Sequence, residues 1–328
     1  MISKNDFIHI PYTPDLTQGG IAYACRSLPH TYDRMGGSNA KRMRRIVGGI
    51  AVELAFRRYL NEQEIPFDVK GATPFTDPDK YDVALGGHRC DVKSFMLSRK
   101  KQITDLNRDW GLLLGASALI PSDQFAAGNH NESDIYIFSF LTGLQASSQK
   151  NMAKAIDAGE PLHLIHTMPK AWAKPKGWHP LGALALKSDC DERLTIELGG
   201  QDAERKFLSE TITLKPRERL KAEANFHTLA YVHVDKMPNG RVGIHSPEKD
   251  ETYLILSTEW KNIWLYGMRV VLAGYLTRAG FREKAKELPV GSRVFQYSKT
   301  RTKNLAVPVA ELNPLGHLFE QVKGWGRK

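Results

Sequence analysis

Apolar and polar positions alternate most sharply over residues 81–95, YDVALGGHRCDVKSF, where two strand-like runs flank Gly86-Gly87. Glycine tolerates the positive φ of a two-residue turn, so the pattern predicts a β-hairpin in which Leu85 pairs with His88 and each earlier residue with a later one. Side chains alternate across a strand. Tyr81, Val83, Leu85, Cys90 and Val92 therefore fall on an apolar face, and Asp82, Asp91 and Lys93 on a charged one. Upstream, RIVGGIAVELAFRRYL at residues 45–60 has a helical period: Ile46, Gly49, Ile50, Phe56 and Leu60 share a stripe with one carboxylate, Glu53. Gly49 would let that helix approach a neighbour closely.

Residues 101–120 read as a helix or a helix plus a strand, 121–133 as a polar loop and 134–141, DIYIFSFL, as a buried strand. From 161 to 257 the texture changes to short strand-like runs such as LHLIHTM, RLTIELGG, LAYVHVD and RVGIHS, separated by Gly, Pro and Asp/Asn turns. This predicts a sandwich or barrel, with Met237-Pro-Asn-Gly240 joining two strands in a hairpin. Residues 264–285, WLYGMRVVLAGYLTRAGFREKA, return to a strand followed by a helix with Thr277 as its N-cap. The expected organisation is an α/β domain in two parts, 1–155 and 258–328, with a β-rich module at 156–257 inserted between them to bind DNA or a partner.

Charge gives the hairpin its chemistry. Two aspartates opposite each other on a ladder, with Cβ atoms about 5 Å apart, repel, so their pairing implies a cation between them. Glu53 projects from a mostly apolar stripe, where an unpaired carboxylate is costly, and it too implies a metal or cationic partner.

Asp82, eight intervening residues, then Asp91-Val92-Lys93, with a glutamate-bearing helix upstream, resembles the signature of the PD-(D/E)XK, or restriction-endonuclease-like, nuclease superfamily. The resemblance implies an α/β fold with a mixed central sheet flanked by helices, and a metal-dependent endonuclease that hydrolyses phosphodiesters. Glu53, Asp82, Asp91 and the Val92 carbonyl would hold Mg²⁺, with Mn²⁺ as a substitute. These are oxygen donors suited to a hard divalent cation. Lys93 would position the attacking hydroxide or stabilise the transition state. Two departures are plain: Tyr81 stands where the signature has proline, and no Q-x-x-x-Y follows Lys93. A role in restriction or defence against foreign DNA rests on the resemblance alone. The alternatives are a structure-specific or repair nuclease, or an inactive nucleic-acid-binding or assembly module.

Composition sets the outer limits. Forty-six Lys+Arg against 36 Asp+Glu give a net charge of +10, which favours a polyanion such as DNA through counterion release. Lys41, Arg42, Arg44, Arg45, Arg57, Arg99, Lys100 and Lys101 cluster in sequence around the helix and hairpin and are candidate phosphate contacts; Arg58 lies among them. Duplex DNA is the expected partner. Cutting both strands would call for a homodimer or a subunit of a multi-protein complex. Cys25, Cys90 and Cys190 are widely spaced and read as reduced thiols. His163, His166, His227 and His233 lack the spacing of a zinc site, and Trp172 and Trp178 read first as packing anchors. No apolar run reaches membrane-spanning length and the N-terminus lacks a signal-peptide pattern, so a cytoplasmic location is expected. No Walker A loop is present, so any ATP-driven motor would be a separate subunit.

Overall fold

A computed structural model describes residues 2–28, 38–69, 82–127, 130–160 and 162–325. It is mixed α/β and divides into two compact units, Met1–Gly20 with Gly48–Leu144 and Gly267–Lys328, and Ile21–Val47 with Gln145–Tyr266. Residues 21–47, read from sequence with the first domain, thus group with the β-rich unit.

The first unit is built on a five-stranded sheet in the order Ile8–Ile10, Leu265–Thr277, Ile135–Gln145, His88–Leu97, Val83–Leu85. It is mixed: His88–Leu97 runs parallel to Ile135–Gln145 and antiparallel to Val83–Leu85. A central strand buried on both faces should be apolar throughout, and Ile135–Gln145 keeps its first nine residues buried. A second, three-stranded sheet pairs Asn304–Pro308 with Lys286–Leu288 and Ser117–Pro121. Phe95, Phe138, Phe140 and Phe281 share a core cluster with Leu106 and Val307, and the Phe138 and Phe281 rings stack at 5.7 Å. Residues 101–120 resolve into a helix, Lys100–Arg108, a 3₁₀ segment, Trp110–Gly115, and the strand Ser117–Pro121. Thr277 caps the helix Arg278–Lys284 as its sequence predicts, accepting from the Gly280 N–H at 3.1 Å.

The second unit holds two antiparallel sheets over one core. The five-stranded sheet runs Lys261–Asn262, Leu164–Thr167, Thr228–Val234, Leu194–Gln201, Phe207–Leu214. The four-stranded sheet runs Arg219–Lys221, Ala185–Ser188, Val242–Ser246, Glu251–Ile255. Leu186, Val242 and Ile244 from one sheet pack in a common cluster with Ile196, Leu198 and Val232 from the other. Trp172 and Trp260 lie fully buried in that cluster, so Trp172 is a packing anchor.

Met237-Pro-Asn-Gly240 does not close a hairpin. The strand after it pairs through Val242 with Ser188 and Ile255, whereas Val234 before it pairs with Ile196 and Leu164, so the segment carries the chain from one sheet to the other. Gly240 passes so close to Asp189 that a Cβ would meet its backbone at 2.7 Å. The three cysteines are free and buried. Among the described residues no helix is long and apolar enough to cross a membrane.

Candidate active site

The hairpin forms in the expected register: Leu85 pairs with His88, Ala84 with Arg89 and Val83 with Cys90. Gly86 and Gly87 have φ of 54° and 81°, the two positive values of a type I′ turn, whose twist matches that of the strands. Val83, Leu85 and Cys90 are buried on the apolar side, as alternation requires. Tyr81 lies outside the described residues.

The ladder loosens at Asp82. Its N–H donates to the Cys90 carbonyl at 3.1 Å, so Asp82 lies just beyond the last paired residues rather than in strict register with Asp91. Its carboxylate turns back and accepts the Val92 N–H at 2.7 Å. Burial and then the Asp91 charge push the Asp82 carboxyl up to about 7, against the pull of the Val92 hydrogen bond, Lys93 and Arg57. Lys93 is largely buried and holds Asp91 at 2.5 Å. Burial works against its charge, but Asp91 and Asp82 keep its pKa above the usual lysine value. Two carboxylates and one ammonium thus act on one another in a poorly solvated place.

The strand beside the hairpin adds partners that the sequence did not single out. Tyr136 is in register with Asp91 and Phe138 with Lys93. Tyr136 feels both charges, and its hydroxyl accepts from Arg278 Nη1 at 2.8 Å. Arg278 is itself buried, with Nη2 on the Phe125 carbonyl at 2.6 Å and its guanidinium 4.2 Å above the Phe125 ring. Parallel register between segments about 40 residues apart decides this contact, and no local pattern encodes it.

Glu53 lies half-buried on the helix Asn39–Glu62. One turn before it, a Cβ on Gly49 would stand 3.8 Å from Ser94 Oγ; one turn after it, Arg57 Nη2 donates to the Asp82 carbonyl at 2.8 Å. The stripe Gly49, Glu53, Arg57 therefore borders the hairpin, with Glu53 at its middle. Ser94 and Lys93 leave the strand on opposite sides, so the helix borders the side away from Asp91. Among the described residues no three His, Cys, Asp or Glu side chains gather closely enough to hold a metal. The pair Asp82 and Asp91 is assembled with Lys93; Glu53 sits on the helix that borders the other side of the hairpin and is not gathered with them.

The basic candidates separate. Arg44 is a structural cation: its side chain is buried, donating to Gln145 Oε1 at 3.1 Å and to the Asn262 carbonyl, so its guanidinium is not open to a phosphate. Lys41 is exposed, and Arg42 and Arg45 half-buried, in the same unit. Arg57 is used on the Asp82 carbonyl, and Arg58 on Asp15 at 3.2 Å. Arg99, Lys100 and Lys101 are exposed at the start of the helix after the hairpin strand. Arg99 and Lys101 line a concavity of about 740 Å³ with Arg293 and Phe295, and Arg99 donates to the Phe295 carbonyl at 3.0 Å.

Comparison with protein-family models, with curated proteins and with solved structures finds no match to this chain.

Proposed function

We propose that the protein is a metal-dependent DNA endonuclease whose reaction centre is Asp82, Asp91 and Lys93. The observation that carries this reading is a pair of interacting carboxylates, both only partly open to solvent, that Lys93 and Arg57 offset among the described residues without bringing Asp82 back to its ordinary range. A purely structural strand would gain more by replacing such a pair with apolar side chains. A hard divalent cation fits the group: the donors are carboxylate oxygens with the Val92 carbonyl nearby, and a further positive charge offsets the burial and the Asp91 repulsion that together raise Asp82.

When bound, Mg²⁺ would acidify a water and neutralise charge on the phosphate. Asp82 and Asp91 would hold the cation, and the Val92 N–H fixes the orientation of the Asp82 carboxylate. Lys93, kept protonated by its two neighbours, offers a fixed positive charge to the phosphate. The Arg57 hydrogen bond holds the Asp82 backbone. Tyr136, anchored by Arg278, walls the pair on the neighbouring strand.

The test is cleavage of supercoiled plasmid, linear duplex and single-stranded DNA with Mg²⁺, Mn²⁺ or EDTA, beside Asp91→Ala. Metal-dependent cutting lost in the variant is expected. Cutting that persists in Asp91→Ala at the wild-type rate sinks the assignment.

A further inference from the structure

We infer that the outer face of the four-stranded sheet in the second unit is a groove for a nucleic-acid strand, with Lys187, Arg219 and Arg241 on its phosphates and Leu254 under a sugar or base. Only the choice of ligand rests on the proposed function; the groove itself stands on register, shape and charge.

Register lays out the face. Arg219 is opposite Lys187, Lys187 opposite Gly243, and Gly243 opposite Leu254, so one row crosses all four strands from two cations to an exposed apolar side chain. In the next row Ala185 is opposite His245, whose Nδ1 lies 3.1 Å from Thr252 Oγ1. Small residues at the middle, Ala185 and Gly243, and long ones at the rim leave a concavity of about 390 Å³. That size suits a small-ligand site of about 300–1,000 Å³. A Cβ on Gly243 would already stand 3.2 Å from Leu254 Cδ2, so the trough depends on that glycine. The opposite face of the sheet is core.

Arg241 has a carboxylate partner, Asp189, at 2.7 Å. Among the described residues Lys187 and Arg219 have none, although they face each other directly, a placement that leaves two positive charges free to meet one anion. A bare inorganic anion would use the cations and leave Leu254, which is 49% exposed, without purpose. A nucleotide uses both, because it carries an anionic phosphate beside apolar ring faces. The hydroxyl and imidazole of the second row add hydrogen-bonding groups of the kind a sugar or phosphate takes.

The experiment is fluorescence anisotropy of a labelled oligonucleotide, single-stranded and duplex, with the full-length Asp91→Asn protein in EDTA between about 50 and 200 mM salt. Lys187→Glu/Arg219→Glu is expected to bind at least about tenfold more weakly at the low-salt end and to lower the slope of log affinity against log salt by about 1.5 to 2. Lys187→Ala/Arg219→Ala, with an unchanged melting temperature, is expected to move both readouts the same way by less. Unchanged affinity in both variants, or no binding by the parent protein at low salt, overturns the groove. If polyglutamate of matched charge competes as well as the oligonucleotide, the face reads charge alone and the nucleic-acid assignment fails. Plasmid cleavage by the wild-type protein with Mg²⁺ is run alongside. Cutting with unchanged oligonucleotide affinity overturns the groove and leaves the nuclease; charge-dependent binding without cutting does the reverse.

Discussion

At the hairpin of the first unit, Asp82 and Asp91 bring two half-buried carboxylates together; on the four-stranded sheet of the second, Arg219 and Lys187 face each other in solvent. Both place like charges side by side, yet the consequences differ because the surroundings do. Burial takes water from the Asp82 carboxylate, so the chain supplies Lys93 and the Val92 N–H, and Asp82 is still displaced far from its ordinary range. The exposed cations need no such support, since water and salt weaken their repulsion. A half-buried pair of this kind suits one compact cation held in fixed geometry. An exposed row suits an extended polyanion whose hold fades with salt.

The sharpest way to break the comparison is at the hairpin. Asp82→Ala, Asp91→Ala and Lys93→Ala are each expected to lower metal-dependent cleavage at least about a hundredfold, measured as nicking rate on supercoiled plasmid. Glu53→Ala should cost less, because the helix that carries Glu53 borders the side of the hairpin away from Asp91. If Glu53→Ala matches Asp91→Ala while Asp82→Ala retains full rate, the centre has been drawn around the wrong carboxylates.

Turn geometry comes next. Gly87 has φ of 81° with nothing within 4 Å of a would-be Cβ, so Gly87→Ala tests backbone conformation alone. A loss of about 1 kcal/mol in urea unfolding is expected, with a fall in cleavage as Asp82 loses its place against Val92. Asp82→Asn probes the charge in the same hairpin. It removes one buried like charge while keeping an acceptor for the Val92 N–H, so its melting temperature in EDTA should rise by about 2–4 °C. Mg²⁺ should raise the melting temperature of the wild type but not of this variant. An Asp82→Asn protein that melts lower in EDTA and still responds to Mg²⁺ would show that the pair is structural.

The second unit also buries titratable groups, and these sharpen the contrast with its exposed face. His163 stacks on His233 at 5.6 Å, and His233 Nδ1 lies 3.2 Å from Glu197, which also accepts from the Tyr231 hydroxyl at 2.8 Å. Burial, then the neighbouring His233, pushes His163 down to about 4. The unfolded chain therefore takes up this proton first as pH falls through about 6.5, and stability drops between about 6.5 and 4. Thermal melts across that window should show a shallower loss for His163→Gln, provided the variant melts near the wild type at pH 8. A parallel pair of curves would mean that His163 does not drive the acid sensitivity.

What the sequence disclosed follows from how local each determinant is. The hairpin, its glycine turn and the charged trio depend on period-two alternation over 15 residues, and the Glu53 helix on a single stripe, so both were legible. Tyr136 and Arg278 were not, because Tyr136 meets Asp91 through a parallel pairing and Arg278 reaches Tyr136 from the start of a helix about 140 residues later in the chain. Met237-Pro-Asn-Gly240 has hairpin chemistry yet connects two sheets, since turn residues specify a reversal but not which strand accepts the chain afterwards. Arg44 read as a surface cation, and only tertiary burial on Gln145 and Asn262 makes it structural. The basic groove was invisible for the same reason: its cations come from two separate strands, at positions 187 and 219, and from position 241 just before a third.

Shape and charge in that groove can be separated at its glycine. Gly243 shows no positive φ, so Gly243→Ala asks for no unusual backbone, and the tightest contact of the new Cβ would be the end of the flexible Leu254 side chain at 3.2 Å. Every charge stays where it was, so counterion release is untouched and the salt slope should match the parent protein. What changes is the depth of the trough: Leu254 must turn aside, and a sugar or base resting there loses close contact. The expected loss of oligonucleotide affinity is about two- to threefold, with an unchanged slope. A change in slope with no change in depth-sensitive affinity would mean that the strand is held by the rim alone, and that the trough is incidental to it.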